Sequence, residues 1–169
     1  MRQAAIVAVI ALALAVPASA APAKFTPSVL AGTWVGTWSN LTFKTKGTLT
    51  LNITSPGNKL VFTAKIAGNT FGCAAPGPQT FTLPGGSGPN HWTAAGFTIK
   101  NPSQAFGTMN VVYSYPSGTL TGSGKGVKCA PGISWTLASK FTATTFNATA
   151  HITLPGGGKA TTVVSLAKK

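Results

Sequence analysis

Hydrophobic and polar residues alternate with a period of two over most of the chain. Between residues 48 and 54, for example, Leu49, Leu51 and Ile53 are separated by threonine and asparagine. Successive side chains of a β-strand point to opposite faces, so this alternation predicts strands with one buried and one solvated face. The same pattern recurs at 60–67, 109–115, 133–138 and 146–154. No window of helical length repeats every 3.6 residues, so the pattern predicts an all-β protein.

Turn-forming residues separate these runs and set the number of strands. Clusters of Gly, Pro, Ser and Asn occur at 55–58, 67–69, 84–86, 116–118 and 155–157, and such clusters favour tight turns. Eight or nine strands are predicted at roughly 32–43, 47–55, 59–67, 78–84, 91–100, 107–115, 118–128, 133–154 (one strand or two) and 160–167. A sheet built from sequential hairpins has two edge strands with unpaired backbone groups unless it closes on itself. We therefore expect an up-and-down antiparallel β-barrel of about eight strands, with a β-sandwich as the alternative.

The first predicted strand carries a short motif that resembles a known group of barrels. Leu30-Ala31-Gly32-Thr33-Trp34 is similar to the G-x-W start of the calycins, meaning lipocalins and avidins. Trp34 and Trp38 are four residues apart, so both should point into the barrel, near one end. The resemblance implies a barrel and not biotin binding, because avidins bind biotin partly through an Asp that this chain lacks. Lipocalins also place an Arg over this Trp at the base of the barrel.

The N-terminal segment predicts a secreted or periplasmic location. Arg2 precedes an apolar run of 13 residues, Ala4–Val16, and Ala18-Ser19-Ala20 supplies the small residues of a cleavage site. The run is too short for a transmembrane helix, which needs ~20 residues, and it matches a Sec-type signal peptide. We expect residues 1–20 to be removed, leaving residues 21–169 as a single barrel domain with no transmembrane segment.

Cys73 and Cys129 are the two cysteines of the chain. In an oxidising compartment the pair predicts one disulfide that closes a long loop. A free-thiol nucleophile or a metal-ligand pair is the alternative, and no histidine near either cysteine in the sequence supports it.

Thirteen basic residues and no Asp or Glu exclude many functions. About a quarter of an average chain is charged, with both signs present. Without carboxylates there is no acid pair for glycoside hydrolysis, no Mg²⁺ or Ca²⁺ cage and no acid to orient a catalytic histidine. Neither His91 nor His151 has partners for catalysis or metal binding. We expect a non-enzymatic protein without cofactor or metal.

Two functions fit this composition. The first is a secreted protein that binds a small apolar or amphipathic ligand in the barrel. Its candidate binding residues are the aromatic and apolar side chains predicted to face the interior: Trp34, Trp38, Phe62, Trp92, Tyr113, Tyr115 and Trp135. The alternative is a cell-envelope or surface module that binds anionic or sugar polymers through lysines and exposed aromatics. Nucleic acid is not an expected partner of a secreted chain.

The sequence also contains three N-x-T glycosylation motifs, which begin at Asn40, Asn52 and Asn147. Whether they are glycosylated stays open.

Overall fold

The computed structural model describes residues 27–57, 59–70, 73–74, 76–84, 94–99, 105–114 and 117–169. Residues 1–20, predicted to be the signal peptide, lie outside the described residues. In the described part, a 3₁₀ turn at Pro27–Leu30 is followed by strands only. The strands are β1 Gly32–Asn40, β2 Thr45–Thr54, β3 Lys59–Ile66, β4 Asn69–Thr70, β5 Cys73–Ala74, β6 Gln79–Pro84, β7 Ala94–Ile99, β8 Thr108–Ser114, β9 Thr119–Lys125, β10 Ser134–Phe141, β11 Thr145–Thr153 and β12 Lys159–Lys168.

Ten of the described strands form one curled antiparallel sheet. Their order is β6-β3-β2-β1-β12-β11-β10-β9-β8-β7, so most neighbours in the sheet are also neighbours in sequence. The first strand pairs with the last, from Trp34 opposite Lys168 to Asn40 opposite Thr162. β6 and β7 end the order and contact each other, with no ladder between them among the described residues. The sheet therefore curls into an up-and-down barrel with one seam, as the sequence predicts, and β4 and β5 form a separate small hairpin.

The interior of the barrel is apolar because one face of every long strand is apolar. Trp34 and Trp38 of β1 are 1% and 4% exposed, whereas Thr37 between them is exposed. The buried cluster draws on both halves of the chain and includes Leu51, Ile53, Leu60, Phe62, Leu83, Met109, Val111, Tyr113, Trp135, Phe141, Ile152 and Leu166. The outer face of the same strands is rich in Thr, Ser, Asn and Lys. The period of two thus separates inside from outside.

Two glycines let the wall of the barrel approach other groups closely. A Cβ atom on Gly124 would overlap the indole of Trp135, which packs across the pair β9–β10. A Cβ atom on Gly36 would overlap the backbone oxygen of Ser165 on β12. Both glycines lie inside strands, Gly36 in β1 and Gly124 in β9.

The structure corrects two details of the predicted strands and decides one alternative that the sequence leaves open. The sheet contains ten strands rather than about eight. The first strand ends at Asn40 instead of 43, because the side chain of Asn40 accepts hydrogen bonds from the backbone N–H groups of Thr42 and Phe43. Segment 133–154 forms two strands, because the Thr142 hydroxyl accepts hydrogen bonds from the N–H groups of Thr144 and Thr145. In each of these two cases, a side chain satisfies backbone donors that a continued strand would pair.

No helix in the described part of the chain is long and apolar enough to cross a membrane. Predicted strand residues 91–93, 100 and 115 lie outside the described residues.

Candidate functional site

The two ends of the barrel differ, and we name them after their position on β1. The base is the end where β1 begins, next to the 3₁₀ turn Pro27–Leu30. The mouth is the end where β1, β3, β9 and β11 finish and where the connections 41–44, 126–133 and 154–158 lie. A cavity of about 240 Å³ opens at the mouth.

The mouth cavity is lined by apolar and neutral polar side chains. Its apolar lining consists of Trp38, Phe43, Ile133, Ile152, Leu154 and Ala160. Its polar lining consists of Asn40, Thr45, Asn69 and Thr162. Among the described residues, no charged side chain lines this cavity, although the chain has thirteen basic residues. A described lining of apolar groups with a few amides and hydroxyls suits a small amphipathic molecule.

Trp38 is held in place as one wall of this cavity. Its indole N–H donates a hydrogen bond to the Ala67 backbone oxygen at 2.9 Å. Two glycines lie against the indole: a Cβ on Gly47 would approach Trp38 Nε1 to 2.6 Å, and a Cβ on Gly68 would lie 3.0 Å from the ring. Because its polar atom is already bonded, the ring offers the cavity an apolar surface.

Asn40 organises the polar side of the mouth. The Asn40 side-chain amide, which is 8% exposed, donates to the Thr162 hydroxyl at 3.2 Å. Its carbonyl oxygen accepts hydrogen bonds from the N–H groups of Thr42 at 3.0 Å and Phe43 at 2.9 Å. One buried side chain therefore joins β1 to β12 and fixes the loop that carries Phe43 over the cavity.

The base is closed around Trp34. The Trp34 indole N–H donates to the Leu30 backbone oxygen at 2.9 Å, within the 3₁₀ turn. Lys168 of β12 donates to the Val29 backbone oxygen at 2.7 Å, and its ammonium nitrogen lies 5.8 Å from the centre of the Trp34 ring. Residues 21–169 contain no arginine, and a lysine lies over the tryptophan at the place where lipocalins have an arginine. The turn and the lysine cover this end of the interior.

The structure separates the residues that the sequence grouped as one ligand site. The shared inward face of Trp34 and Trp38 is confirmed, but their placement near one end is wrong, because Trp34 lies at the base and Trp38 at the mouth. Phe62 is in the core and stacks on Phe81 with ring centres 4.9 Å apart. Trp135 is also in the core, where its indole N–H donates to the Phe106 backbone oxygen at 3.1 Å.

Tyr113 is buried in the base half of the barrel. It is 2% exposed, and burial raises the pKa of its phenol from 10.0 to about 12. Trp92 and Tyr115 lie outside the described residues. Of the described members of the predicted ligand set, Trp38 is the one that lines the mouth cavity.

Several mouth residues were not predicted from the sequence. The predicted first strand, 32–43, ends at Phe43, and Asn40 is predicted only as the start of a glycosylation motif. The local signal for the turn is Asn40 itself, since Asn side chains commonly hydrogen-bond the backbone two residues on. Ile133, Leu154 and Thr162 reach the mouth only through the pairing of distant strands, which no local pattern indicates.

A second concave surface lies on the outer wall. A groove of about 620 Å³ crosses β8 to β12. One row of its lining is Asn110, Ser123, Thr136, His151 and Thr161, which are cross-strand neighbours. Lys125 and Lys159 also line it. This groove is hydroxyl-rich and basic, in contrast to the uncharged mouth cavity.

The described residues offer no cluster of three or more His, Cys, Asp or Glu that could hold a metal ion. His151 is exposed on the outer wall, where its ring nitrogen lies 3.4 Å from the Thr161 hydroxyl. His91 lies outside the described residues.

Comparison with known proteins supports the fold. No protein-family model matches the chain, and no curated protein matches it. A DUF3598-family protein of unknown function from Nostoc punctiforme PCC 73102 is similar in structure, with a TM-score of 0.53 and 13% identity over 86% of this chain and 50% of that one. The chain therefore spans half the length of that protein.

A conserved protein of unknown function with a hot dog fold, from Alicyclobacillus acidocaldarius, matches at 10% identity over 89% of this chain and 81% of that one. Its TM-score of 0.22 is too low to support an argument. The fold and the mouth cavity together define a β-barrel-like protein of a class able to bind ligands. The calycin resemblance is supported in its barrel shape alone.

Proposed function

We propose that the protein is a secreted or periplasmic, non-enzymatic binding protein that holds a small apolar or amphipathic ligand at the mouth of its barrel. The observation that carries the proposal is the mouth cavity, whose described lining is uncharged in a strongly basic chain. An apolar cavity with a few fixed polar groups is typical of small-molecule sites.

The size and lining of the cavity narrow the ligand class. At about 240 Å³ it is smaller than the sites of drug-sized ligands, which begin near ~300 Å³. The Trp38 and Phe43 rings favour an apolar or aromatic body, while Asn40 and Thr162 can share hydrogen bonds with one polar group. We propose a small uncharged amphipathic molecule, bound with its apolar part against Trp38.

Sequence features support the location and the absence of catalysis. Residues 1–20 have the composition of a signal peptide. A disulfide between Cys73 and Cys129 belongs to this proposal, and the lack of a free cysteine among the described residues supports it. The chain lacks the carboxylates that most hydrolytic mechanisms require, so we propose no reaction and no cofactor.

The outer groove favours a second candidate function. Its hydroxyl rows and its two lysines fit an anionic or sugar polymer better than an apolar ligand. The aromatic part of that hypothesis is weaker, because Trp34 and Trp38 are buried and Trp135, which lines the groove, is only 8% exposed. We therefore rank this function below ligand binding at the mouth.

The mouth proposal is tested with an uncharged naphthalene dye whose fluorescence rises in apolar surroundings. Thr45 lines the mouth and is exposed, so Thr45→Phe places a ring in the entrance without disturbing the core. We expect Thr45→Phe to weaken dye binding by roughly tenfold or more, equal to about 1.4 kcal/mol.

Thr48→Phe is the matched control, because Thr48 is exposed on the outer wall of the same strand. It should leave dye binding unchanged. Equal affinities of the two variants would overturn the mouth site. Loss of binding in both variants, with unchanged melting temperatures, would assign the dye to the outer wall.

A further inference from the structure

The loop Leu41–Lys44 at the mouth exposes two large apolar side chains. Leu41 is 49% exposed and Phe43 is 55% exposed. Among the described residues, Val112 is the one other large hydrophobic residue with comparable exposure. Leu41 and Phe43 are two positions apart in one loop, so they form a single apolar tip, and such exposed apolar groups mark interaction sites.

The exposure of this apolar tip is fixed by hydrogen bonds. Asn40 holds the N–H groups of Thr42 and Phe43. The Leu41 N–H donates to the Thr161 backbone oxygen at 2.8 Å, and the Thr161 N–H donates to the Thr42 hydroxyl at 3.1 Å. Two hydrogen bonds thereby join the loop to Thr161 of β12. Because these bonds anchor the loop backbone, the Leu41 and Phe43 side chains stay exposed to solvent.

The backbone of the same loop is strained. Lys44 has φ of 58° and is the one non-glycine residue with positive φ in the described part of the chain. The left-handed region costs a non-glycine residue roughly 1–2 kcal/mol. Strain combined with fixed apolar exposure is typical of a functional site rather than of a passive turn.

The end of the barrel that carries the apolar tip also carries five lysines. Lys44 and Lys46 follow it directly in sequence, and both are exposed. Lys125 ends β9, Lys159 begins β12, and Lys128 lies between β9 and β10, so all three belong to the same end of the barrel. The chain has no Asp or Glu to neutralise them. An apolar tip next to two lysines, at an end that carries three more, is complementary to an anionic bilayer surface.

We propose that the mouth docks on an anionic lipid bilayer, with Leu41 and Phe43 inserted below the headgroups and the lysines of the mouth end on the lipid phosphates. Phe43 also lines the mouth cavity, so the docked protein presents its cavity to the membrane. Docking itself goes beyond the proposed function, because it needs no ligand. An anionic sugar polymer is the competing partner, and it has no use for an inserted apolar tip.

The test is sedimentation of the purified protein with lipid vesicles. Vesicles of equal parts phosphatidylglycerol and phosphatidylcholine should carry down the protein, whereas pure phosphatidylcholine should not. Leu41→Ser and Phe43→Ser should each weaken binding roughly tenfold, because each loses the burial of an apolar side chain. Lys44→Gln and Lys46→Gln should each weaken it roughly fivefold, since one lysine near the surface is worth about 1 kcal/mol.

Two control variants distinguish docking through the mouth from non-specific adsorption to vesicles. Val112→Ser removes a large apolar side chain of similar exposure from the outer wall. Lys140→Gln removes a charge from a strand that runs away from the mouth. Both should bind vesicles like the parent protein. If either loses as much binding as its mouth counterpart, the charge or apolarity of the whole surface is responsible and the proposal fails.

A polymer partner gives a different outcome. If an anionic polysaccharide sediments the protein, and Phe43→Ser binds both polysaccharide and vesicles like the parent, the apolar tip is not used and docking is wrong. Dye binding by the same variants, measured without vesicles, tests the cavity separately, so that either proposal can fail alone.

Discussion

The two ends of the barrel differ although each contains a tryptophan of β1: the base is covered, whereas the mouth holds a cavity. Trp34 and Trp38 lie on the same face of β1, and the indole N–H of each donates to a backbone oxygen at 2.9 Å. At the base the acceptor is Leu30, in a turn that covers the barrel end, and Lys168 reinforces that turn. At the mouth the acceptor is Ala67, across the sheet on the far side of β2. The same side chain closes one end and leaves a cavity at the other, depending on where its partner lies.

The comparison is tested most strongly by removing each indole in turn. Trp34 belongs to the buried core cluster, so Trp34→Ala should reduce the free energy of unfolding by about 3–5 kcal/mol. Trp38 borders a cavity that water can enter, so Trp38→Ala should cost less, below about 3 kcal/mol. Urea unfolding followed by circular dichroism measures both. Should Trp34→Ala prevent folding, the matched pair Trp34→Phe and Trp38→Phe keeps an aromatic ring at each site and should give the same order.

Trp38→Ala should also abolish dye binding, whereas Trp34→Phe should preserve it. Equal losses of stability in the two alanine variants, or equal effects on dye binding, would show that the two ends are not functionally distinct.

The exclusion of water from the base half is tested by the pH dependence of stability. Burial raises the pKa of Tyr113 to about 12, above its unfolded value of 10.0. Between pH 10 and 12 the native state therefore keeps a proton that the unfolded state has released. The contribution of the buried phenol to the free energy of unfolding is complete below pH 10 and is lost between pH 10 and 12. Melting temperatures measured from pH 9 to 12 should fall more steeply in the parent than in Tyr113→Phe. Parallel curves would mean that water reaches the phenol.

The smallest effect concerns the covering of the base. Lys168→Met keeps the side-chain stem but removes the hydrogen bond to Val29 and the charge above the Trp34 ring. We expect a loss of about 1–2 kcal/mol of unfolding free energy, since each contact alone contributes about 1 kcal/mol. Lys169→Met is the control, because Lys169 is exposed at the chain end. A Lys168→Met variant as stable as this control would remove the lysine from the closure of the base.

The strands and their faces could be predicted because both follow from local sequence. Alternation at Leu49, Leu51 and Ile53 determines which side of β2 is buried, whatever its partners are. The ends of the strands were less certain, because a single side chain can stop a strand. Asn40 ends β1 three residues early by bonding the backbone of the residues that follow it.

The candidate site could be predicted only in part. Trp38 could be predicted as an interior residue, because alternation along β1 shows which face its side chain is on. Its assignment to a different end from Trp34 could not be predicted, because alternation does not show which end of the barrel is closed. The mouth joins Asn40 to Thr162, and the base joins Lys168 to Val29, over 122 and 139 residues of sequence.

By itself, the sequence determined the all-β fold, the buried and solvated faces of the strands, and a surface without acids. These properties depend on residue type and on a period of two. Only the tertiary structure decided which end is covered, where the apolar tip meets the lysines, and that the cavity is free of charge. Those properties depend on the pairing of β1 with β12 and on hydrogen bonds between distant segments. Such contacts form when the whole sheet closes, so no local stretch of sequence encodes them.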